Sequence, residues 1–450
     1  MLKRTAAAPA KHISAAEAAA LVKSGMWVDF GGGNAQPEAF DKALAARAAE
    51  LKGVKIRSCL VVRALAVLEA DPASEHFHYF SWHFSGYERM KHDAGRGIYV
   101  PINLGEVPDY YRRFIAPPDI MVVKVTPPDE NGVYNFGPLN AWMRAVVERA
   151  KCVIVEVTPN LPYVNGPGNG VHESEIDYVI PGTDNGPALL PVTPLTDVDH
   201  AVANLIVPEV EDGACVQIGI GAMPNAACSI LAKSGVKDLG IHTEMLTDGI
   251  VDLVKAGCVT GARKQIDKGK VVFTFALGSK YMYDAITRNP QMQCHPADYT
   301  NLPHIVMQND KAVSINNTTQ IDLQGQAASE SDGHRHISGT GGQLQFVRGA
   351  YASKGGKSFM LLASTYERKG QRKSRIVLDL TPGNIVTTPR SDIMYVVTEY
   401  GMVNLKGKSV SERAKALIGL AHPDFREGLE RDAHTAGLLP RWFAMGGVGA

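Results

Sequence analysis

Neither sign of charge is in excess: 46 Lys and Arg are matched by 46 Asp and Glu in a chain of 450 residues. A protein that grips nucleic acid through its overall field carries a basic surplus, so that class is excluded. Cysteine is sparse, with six in all. Cys59, Cys152, Cys215, Cys228, Cys258 and Cys294 form no C-x-x-C pair, which argues against a disulfide frame or a zinc site. They read as small core residues in a reducing compartment, and a cytoplasmic location is expected. No stretch approaches the ~18 uncharged apolar residues of a membrane-spanning helix. The opening MLKRTAAAPAKH lacks the apolar core of a secretory signal. The G-x-S-x-G signature of a serine nucleophile is missing too.

What the chain does have is apolar residues (45%) and 44 glycines. Its length suits two or three domains at ~150 residues each. Residues 25–37, GMWVDFGGGNAQP, parallel residues 213–224, GACVQIGIGAMP. Each places an extended apolar run before a glycine loop and a proline that opens a helical pattern. A second parallel links 119–137, DIMVVKVTPPDENGVYNFG, with 392–407, DIMYVVTEYGMVNLKG. Two matches in the same order predict tandem α/β domains of one type, residues 1–195 and 196–450, each a mostly parallel sheet covered by helices. VDFGG, VKIRSCLVV, DIMVVKV and CVIVEV read as buried strands of the first, and VQIGI, LGIHTEM, VVFTFAL and DIMYVV as strands of the second. Ser14 and Glu17 form a capping box that starts a helix ending by Gly25.

Three segments are candidates for chemistry. Gly219-Ile220-Gly221-Ala222-Met223-Pro224 ends a strand and feeds a helix, which aims backbone N–H groups at one point where an anion or oxyanion fits. A tight turn without ligand reads equally well, and Pro224 stands where a dinucleotide fingerprint wants glycine or alanine. Glu244, in Ile241-His242-Thr243-Glu244-Met245, ends the next strand, where open α/β sheets bind ligands. It suits a carboxylate nucleophile, a ribose-binding acid or a plain surface residue. His336–Gln343, ISGTGG at its heart, offers more backbone donors, and Lys354 and Lys357 follow it in a K-G-G-K stretch without phosphate-loop spacing. His76, His78, His83 and His92 lie among aromatics with no diagnostic ligand spacing, and read as a loop near a pocket or domain contact. Arg368, Lys369, Arg372, Lys373 and Arg375 read as a solvated hairpin able to attract a phosphorylated cofactor. Val171–Asp177 is polar, with no assignable role.

The segments VQIGIGAMPNA, LGIHTEMLTDGIVDLVKAG and GTGGQLQFVRGAYASKGGKS resemble the acetyl-CoA hydrolase/transferase family, which includes butyryl-CoA:acetate and 4-hydroxybutyrate CoA-transferases. PDENGVYNFG, VNGPGNGVHESEID and EYGMVNLKGKSVSERAKALIGLAHPDFRE extend the likeness along the whole chain. The resemblance implies an active site between the two domains and a glutamyl–CoA thioester on Glu244. It implies an oxyanion hole from the N–H groups of Ile220 and Gly342, and a CoA-contacting loop from Gly219 to Met223. Asn301 and Lys354 match CoA-contacting side chains, and Gly31–Pro37 the side where the carboxylate enters. The implied reaction moves CoA from a short-chain acyl-CoA to acetate or a similar carboxylate, with CoA as substrate and no permanent cofactor or metal. A hydrolase on the same scaffold and a non-catalytic CoA or dinucleotide sensor are the alternatives. The implied assembly is a homodimer or dimer of dimers, with no nucleic-acid or membrane partner.

Overall fold

The computed structural model describes residues 5–440 and Trp442, apart from Ala7, Val192 and Thr193. Two eight-stranded sheets organise it. The first uses β1 (Lys11–His12), β2 (Trp27–Phe30), β3 (Val54–Ser58), β4 (Phe77–Ser81), β5 (Ile98–Tyr99), β6 (Ile120–Val125), β7 (Cys152–Val157) and β8 (Tyr178–Pro181) in the order β5-β4-β3-β2-β6-β7-β8-β1, all parallel. The second uses β9 (Cys215–Ile218), β10 (Gly240–His242), β11 (Val271–Phe273), β12 (Met292–Cys294), β13 (Ala312–Asn317), β14 (Lys357–Leu361), β15 (Tyr395–Thr398) and β16 (Gly401–Asn404). Its order is β12-β11-β10-β9-β13-β14-β15-β16, parallel except for the closing β15–β16 hairpin. Strands β2 to β8 therefore map one to one onto β9 to β15. Helices cover these sheets, as crossovers between parallel strands require, so the expected α/β class with two similar domains holds.

The first sequence parallel is a true repeat. Gly31, after β2, donates its N–H to Val122 of β6 at 3.0 Å, and Gly219, after β9, donates to Ile315 of β13 at 2.8 Å. The second parallel is not. Ile120–Val125 is β6, next to the glycine-loop strand, whereas Tyr395–Thr398 is β15, the counterpart of β8. An Asp-Ile-Met start before a β-branched run suits any buried parallel strand, and does not mark position in a sheet.

Other expectations shift locally. The Ser14–Glu17 capping box is present, with Ser14 N–H donating to Glu17 at 2.7 Å, but its helix spans only Ala15–Ala20. The histidine-rich stretch contains β4, with Phe77, Tyr79 and Ser81 buried in alternation, so it is a strand before it is a loop. Its far end does reach the other domain: the Phe84 N–H donates to Ser338, and Tyr99 stacks on His336 with ring centroids 4.2 Å apart. The basic run forms the hairpin Thr365–Arg368 with Gln371–Ser374, largely exposed.

One apolar cluster crosses the seam between the domains, joining Val123, Trp142 and Phe136 to Met245, Phe275 and Ala297, while other clusters lie within each domain. At the seam the N–H groups of Asn140 and Ala141 both point at the Thr274 carbonyl, at 3.2 Å each. The buried Asn140 amide bridges the Pro167 carbonyl at 3.0 Å and the Cys294 carbonyl at 2.9 Å. Removing a buried partner costs ~1–3 kcal/mol per group left unpaired. Asn140→Ala is expected to lower stability by about 2–4 kcal/mol, read as a shift of the denaturant midpoint, and an unmoved midpoint would show that the seam does not rely on it.

Candidate active site

Glu244 owes its placement to a break shared by two neighbouring strands. β10 stops at His242 and β11 at Phe273, and both chains then resume as a separate parallel pair, Met245–Leu246 beside Phe275–Ala276. At the gap the Thr274 N–H donates to the Glu244 carbonyl at 2.9 Å, and the Ile218 N–H donates to Thr243 Oγ1 at 3.3 Å. First-domain residues close the gap from behind, since Ala276 donates its N–H to the Pro138 carbonyl at 2.9 Å. With its backbone fixed on both sides, the Glu244 side chain points into the cleft between the domains.

One side-chain donor meets the carboxylate and one backbone N–H favours its charge. Asn301 Nδ2 donates to Oε2 at 2.5 Å, and the N–H of Gly342, at the start of helix Gln343–Ala352, also stabilises the ionised form. Burial outweighs both and pushes the Glu244 pKa up to about 7. Near neutrality the group is thus shared between acid and carboxylate, and the carboxylate is poorly solvated. Gly342 leaves room for this contact, because a Cβ there would stand 2.1 Å from Glu244 Oε2 and 2.3 Å from Asn301 Nδ2. Asn301 is itself held: its N–H donates to Ala297 at 2.9 Å, and His242 Nε2 donates to the neighbouring Thr300 carbonyl at 2.8 Å. Burial, with Lys264 nearby, lowers the His242 pKa to about 3, so that ring is neutral.

Glu244 stands at a neck between two spaces of different character. Behind it lies a small apolar pocket walled by Leu60, Leu104, Leu139, Trp142, Phe275 and Leu277. It offers about 30 Å³ to the centre of a water-sized sphere, room for about two waters. In front lies a cleft of about 410 Å³ on the same measure, lined by uncharged polar groups such as Gln217, Asn317, Thr318, Ser329 and Gln343. Ile220 and His83 border both spaces. Burial lowers the His83 pKa to about 4, aided by Arg89, so this ring too is neutral.

The structure gathers most of the residues singled out from the sequence, Lys354 excepted. Gly219 and Ile220 line the cleft; Gly221 has φ +134, open to glycine alone, and a Cβ there would meet Asn317 Nδ2 at 2.5 Å. Ile220 is 49% exposed, and among the described residues nothing accepts a hydrogen bond from its N–H. Gly33 and Asn34 of the first glycine loop line the small pocket, and the Trp142 ring lies 3.1 Å from where a Gly32 Cβ would stand. Asn301 differs from expectation: it is fully buried, and its amide touches Glu244 where a CoA-contacting side chain was expected. Lys354 is exposed beyond the far end of the ten-residue helix that starts beside Glu244, and its carbonyl accepts from Lys311 just before β13 begins. That is the amino end of the sheet, away from the cleft. Sequence reading missed Leu104, Trp142 and the role of His83 as a cleft residue. Among the described residues no group of His, Cys, Asp and Glu is arranged to hold a metal, and no helix is long and apolar enough to cross a membrane.

Asn301→Ala removes a hydrogen bond to a charged group, worth ~1.5–3 kcal/mol, or about one to two pH units. The Glu244 ionisation should therefore move upward from about 7, as followed by isotope-edited infrared spectroscopy of the carboxyl. An unchanged ionisation in the folded variant would show that Asn301 does not hold the carboxylate.

Comparison with known proteins agrees over the whole length. Residues 3–191 match the acetyl-CoA hydrolase/transferase N-terminal domain and residues 278–433 the C-terminal domain. A butyryl-CoA:acetate CoA-transferase of Anaerostipes caccae is 46% identical over 433 residues, 95% of this chain and 97% of that protein. A succinyl-CoA:cyclohexane-1-carboxylate CoA transferase of Geobacter metallireducens is 42% identical over 423 residues, covering 94% of this chain and 95% of the other. The crystal structure of RipA from Yersinia pestis superposes with a TM-score of 0.87 at 38% identity, covering 95% of this chain and 98% of that one. With both domain matches in place and relatives this similar from end to end, the chain belongs to the acetyl-CoA hydrolase/transferase family.

Proposed function

We propose that the protein is an acyl-CoA:carboxylate CoA-transferase that moves CoA from a short-chain acyl-CoA to acetate or a similar acid through a glutamyl–CoA thioester on Glu244. The observation that carries this is a carboxylate at a neck, with an apolar pocket on one side and a wide polar cleft on the other. Residues 1–195 supply most of the pocket wall, and 196–450 supply Glu244, the Gly219–Met223 loop and the Gly341–Gly342 loop. The names of the similar transferases support the same reaction class.

In this mechanism a Glu244 carboxylate oxygen attacks the thioester carbonyl carbon, whose π electrons move onto oxygen. The oxyanion is met by the free N–H of Ile220. Collapse breaks the C–S bond and leaves an acyl–glutamyl anhydride and CoA thiolate. The thiolate attacks the Glu244 carbonyl carbon, and this second oxyanion is met by the two donors already on the carboxyl, Gly342 N–H and Asn301 Nδ2. Collapse releases the free acid and leaves glutamyl–CoA. An incoming carboxylate reverses the sequence, so atoms and charge balance with no further reagent. The anhydride lies high in energy, and binding of the remote parts of CoA can be used to reach it. The polar cleft suits an amide-rich arm, and beyond Thr319 it continues into a groove bordered by Arg335, Arg368 and Arg375 together with Asp332 and Glu367, where the arginines could exchange their carboxylate partners for phosphates. Losing one oxyanion donor typically costs ~10²–10³ in rate.

Glu244→Gln keeps the shape and removes the nucleophile, and should cut kcat by at least ~10⁴-fold. Substantial transfer by a folded, CoA-binding variant would refute the assignment. The attacking form is the carboxylate and its pKa is about 7. In the wild type kcat/KM should therefore climb as pH rises through 7, level off above it, and fall away below. A profile flat from pH 5.5 to 8.5 would contradict that role. With acceptor acid omitted, a transferase stalls after one turnover, whereas continuous release of CoA would mark a hydrolase.

A further inference from the structure

Resting on the CoA-transfer chemistry proposed above, the geometry points to a substrate class: we infer that the pocket behind Glu244 takes the acyl tail and selects short monocarboxylates, excluding donors whose tail ends in a second carboxylate. Once the acyl carbonyl is bonded to Glu244, two spaces lined by that residue are open to its tail. The wide polar cleft is lined by Gly219 and Ile220 of the glycine loop and leads on to the arginine groove, so it is the path of the CoA arm. The remaining space is the apolar pocket.

The size of that pocket sets a limit. Room for about two waters accommodates a tail of about two or three carbons. Trp142 forms part of its wall and meets Trp82 edge-to-face with ring centroids 5.0 Å apart. Leu104, Leu139, Trp142, Phe275 and Leu277 all belong to the apolar cluster that crosses the seam, so moving this wall disturbs that packing.

Charge sets the second limit. No Lys or Arg lines the pocket. Its one amide is already bonded: Asn34 Nδ2 donates to Tyr283 Oη at 2.8 Å, and Asn34 Oδ1 accepts from the Ala188 N–H at 2.8 Å. The nearby Arg63 is turned away, paired with Glu38 at 3.2 Å and donating to the Gly186 carbonyl at 2.9 Å. His83 at the neck is held neutral by burial. A distal carboxylate would enter this apolar space with no cation to meet it, losing most of its hydration. The relatives' names include both a butyryl and a succinyl donor, so family membership leaves the choice open and the pocket wall decides it.

The test is a series of kcat/KM values for acetyl-, propionyl-, butyryl-, hexanoyl- and succinyl-CoA, with acetate as acceptor (labelled acetate for the acetyl donor). Propionyl- and butyryl-CoA should lead, hexanoyl-CoA should fall about 10-fold below butyryl-CoA, and succinyl-CoA at least about 100-fold below it. Succinyl-CoA within 10-fold of butyryl-CoA would overturn the proposal while leaving CoA transfer intact. Failure of every donor would overturn the transfer chemistry and this proposal with it. Leu277→Ala enlarges the wall and should raise the hexanoyl-to-butyryl ratio at least about 10-fold. An unchanged ratio in the folded variant would show that the tail lies elsewhere.

Discussion

The hydrogen bond from the Thr274 N–H to the Glu244 carbonyl is the contact on which the cleft depends. It holds two strands at the level where both leave their sheet. Had β10 run on without a break, residue 244 would have followed the pleat, its side chain directed by strand alternation alone. The break instead frees the side chain while Thr243, β9 and Thr274 grip the backbone. First-domain residues then cap the same gap through Pro138, Asn140 and Ala141. Joining the domains and presenting the carboxylate are thus one structural act, and it explains why the apolar core runs across the seam.

Around that carboxylate two opposing effects are set against each other. Desolvation disfavours its charge, and the two donors favour it, with burial ahead by enough to bring ionisation to about 7. A fully solvated glutamate would be a weak attacker, and a fully buried one without donors would stay protonated at neutral pH. In the proposed mechanism the same donors sit where charge develops when the glutamyl carbonyl is attacked, so no reorganisation is needed at that moment. His242, Thr300 and Asn301 form the line of support behind one of them.

Much of this was legible in the sequence, for physical reasons that also mark where legibility stopped. Buried parallel strands such as β6 and β7 are continuous apolar runs and read directly. β13 (AVSINN) and β14 (KSFML) carry polar residues among the apolar ones and gave no such signal. β4 was hidden because its histidines drew attention to chemistry and away from the alternation of Phe77, Tyr79 and Ser81. Glu244 was legible as a strand-end carboxylate beside a glycine loop; the strand break that aims it was not, since LGIHTEM scans as one strand. Asn301 and Lys354 show the limit of carrying residues over by resemblance. Likeness gives identity along the chain but not depth or distance in space, and a ten-residue helix of about 15 Å separates Gly342 from the Lys354 loop. The pocket wall comes from eight separated segments, and no local pattern announces it.

The central claim is that Glu244 becomes covalently bonded to CoA during turnover. The most direct measurement is intact mass after mixing the protein with butyryl-CoA in the absence of acceptor, followed by borohydride reduction and peptide mapping. A mass gain of one CoA less one water that disappears on reduction, with the reduced side chain at Glu244, is the predicted result. An adduct mapped to another residue, such as the pocket cysteine Cys59, or free butyrate accumulating steadily with no adduct, would contradict it.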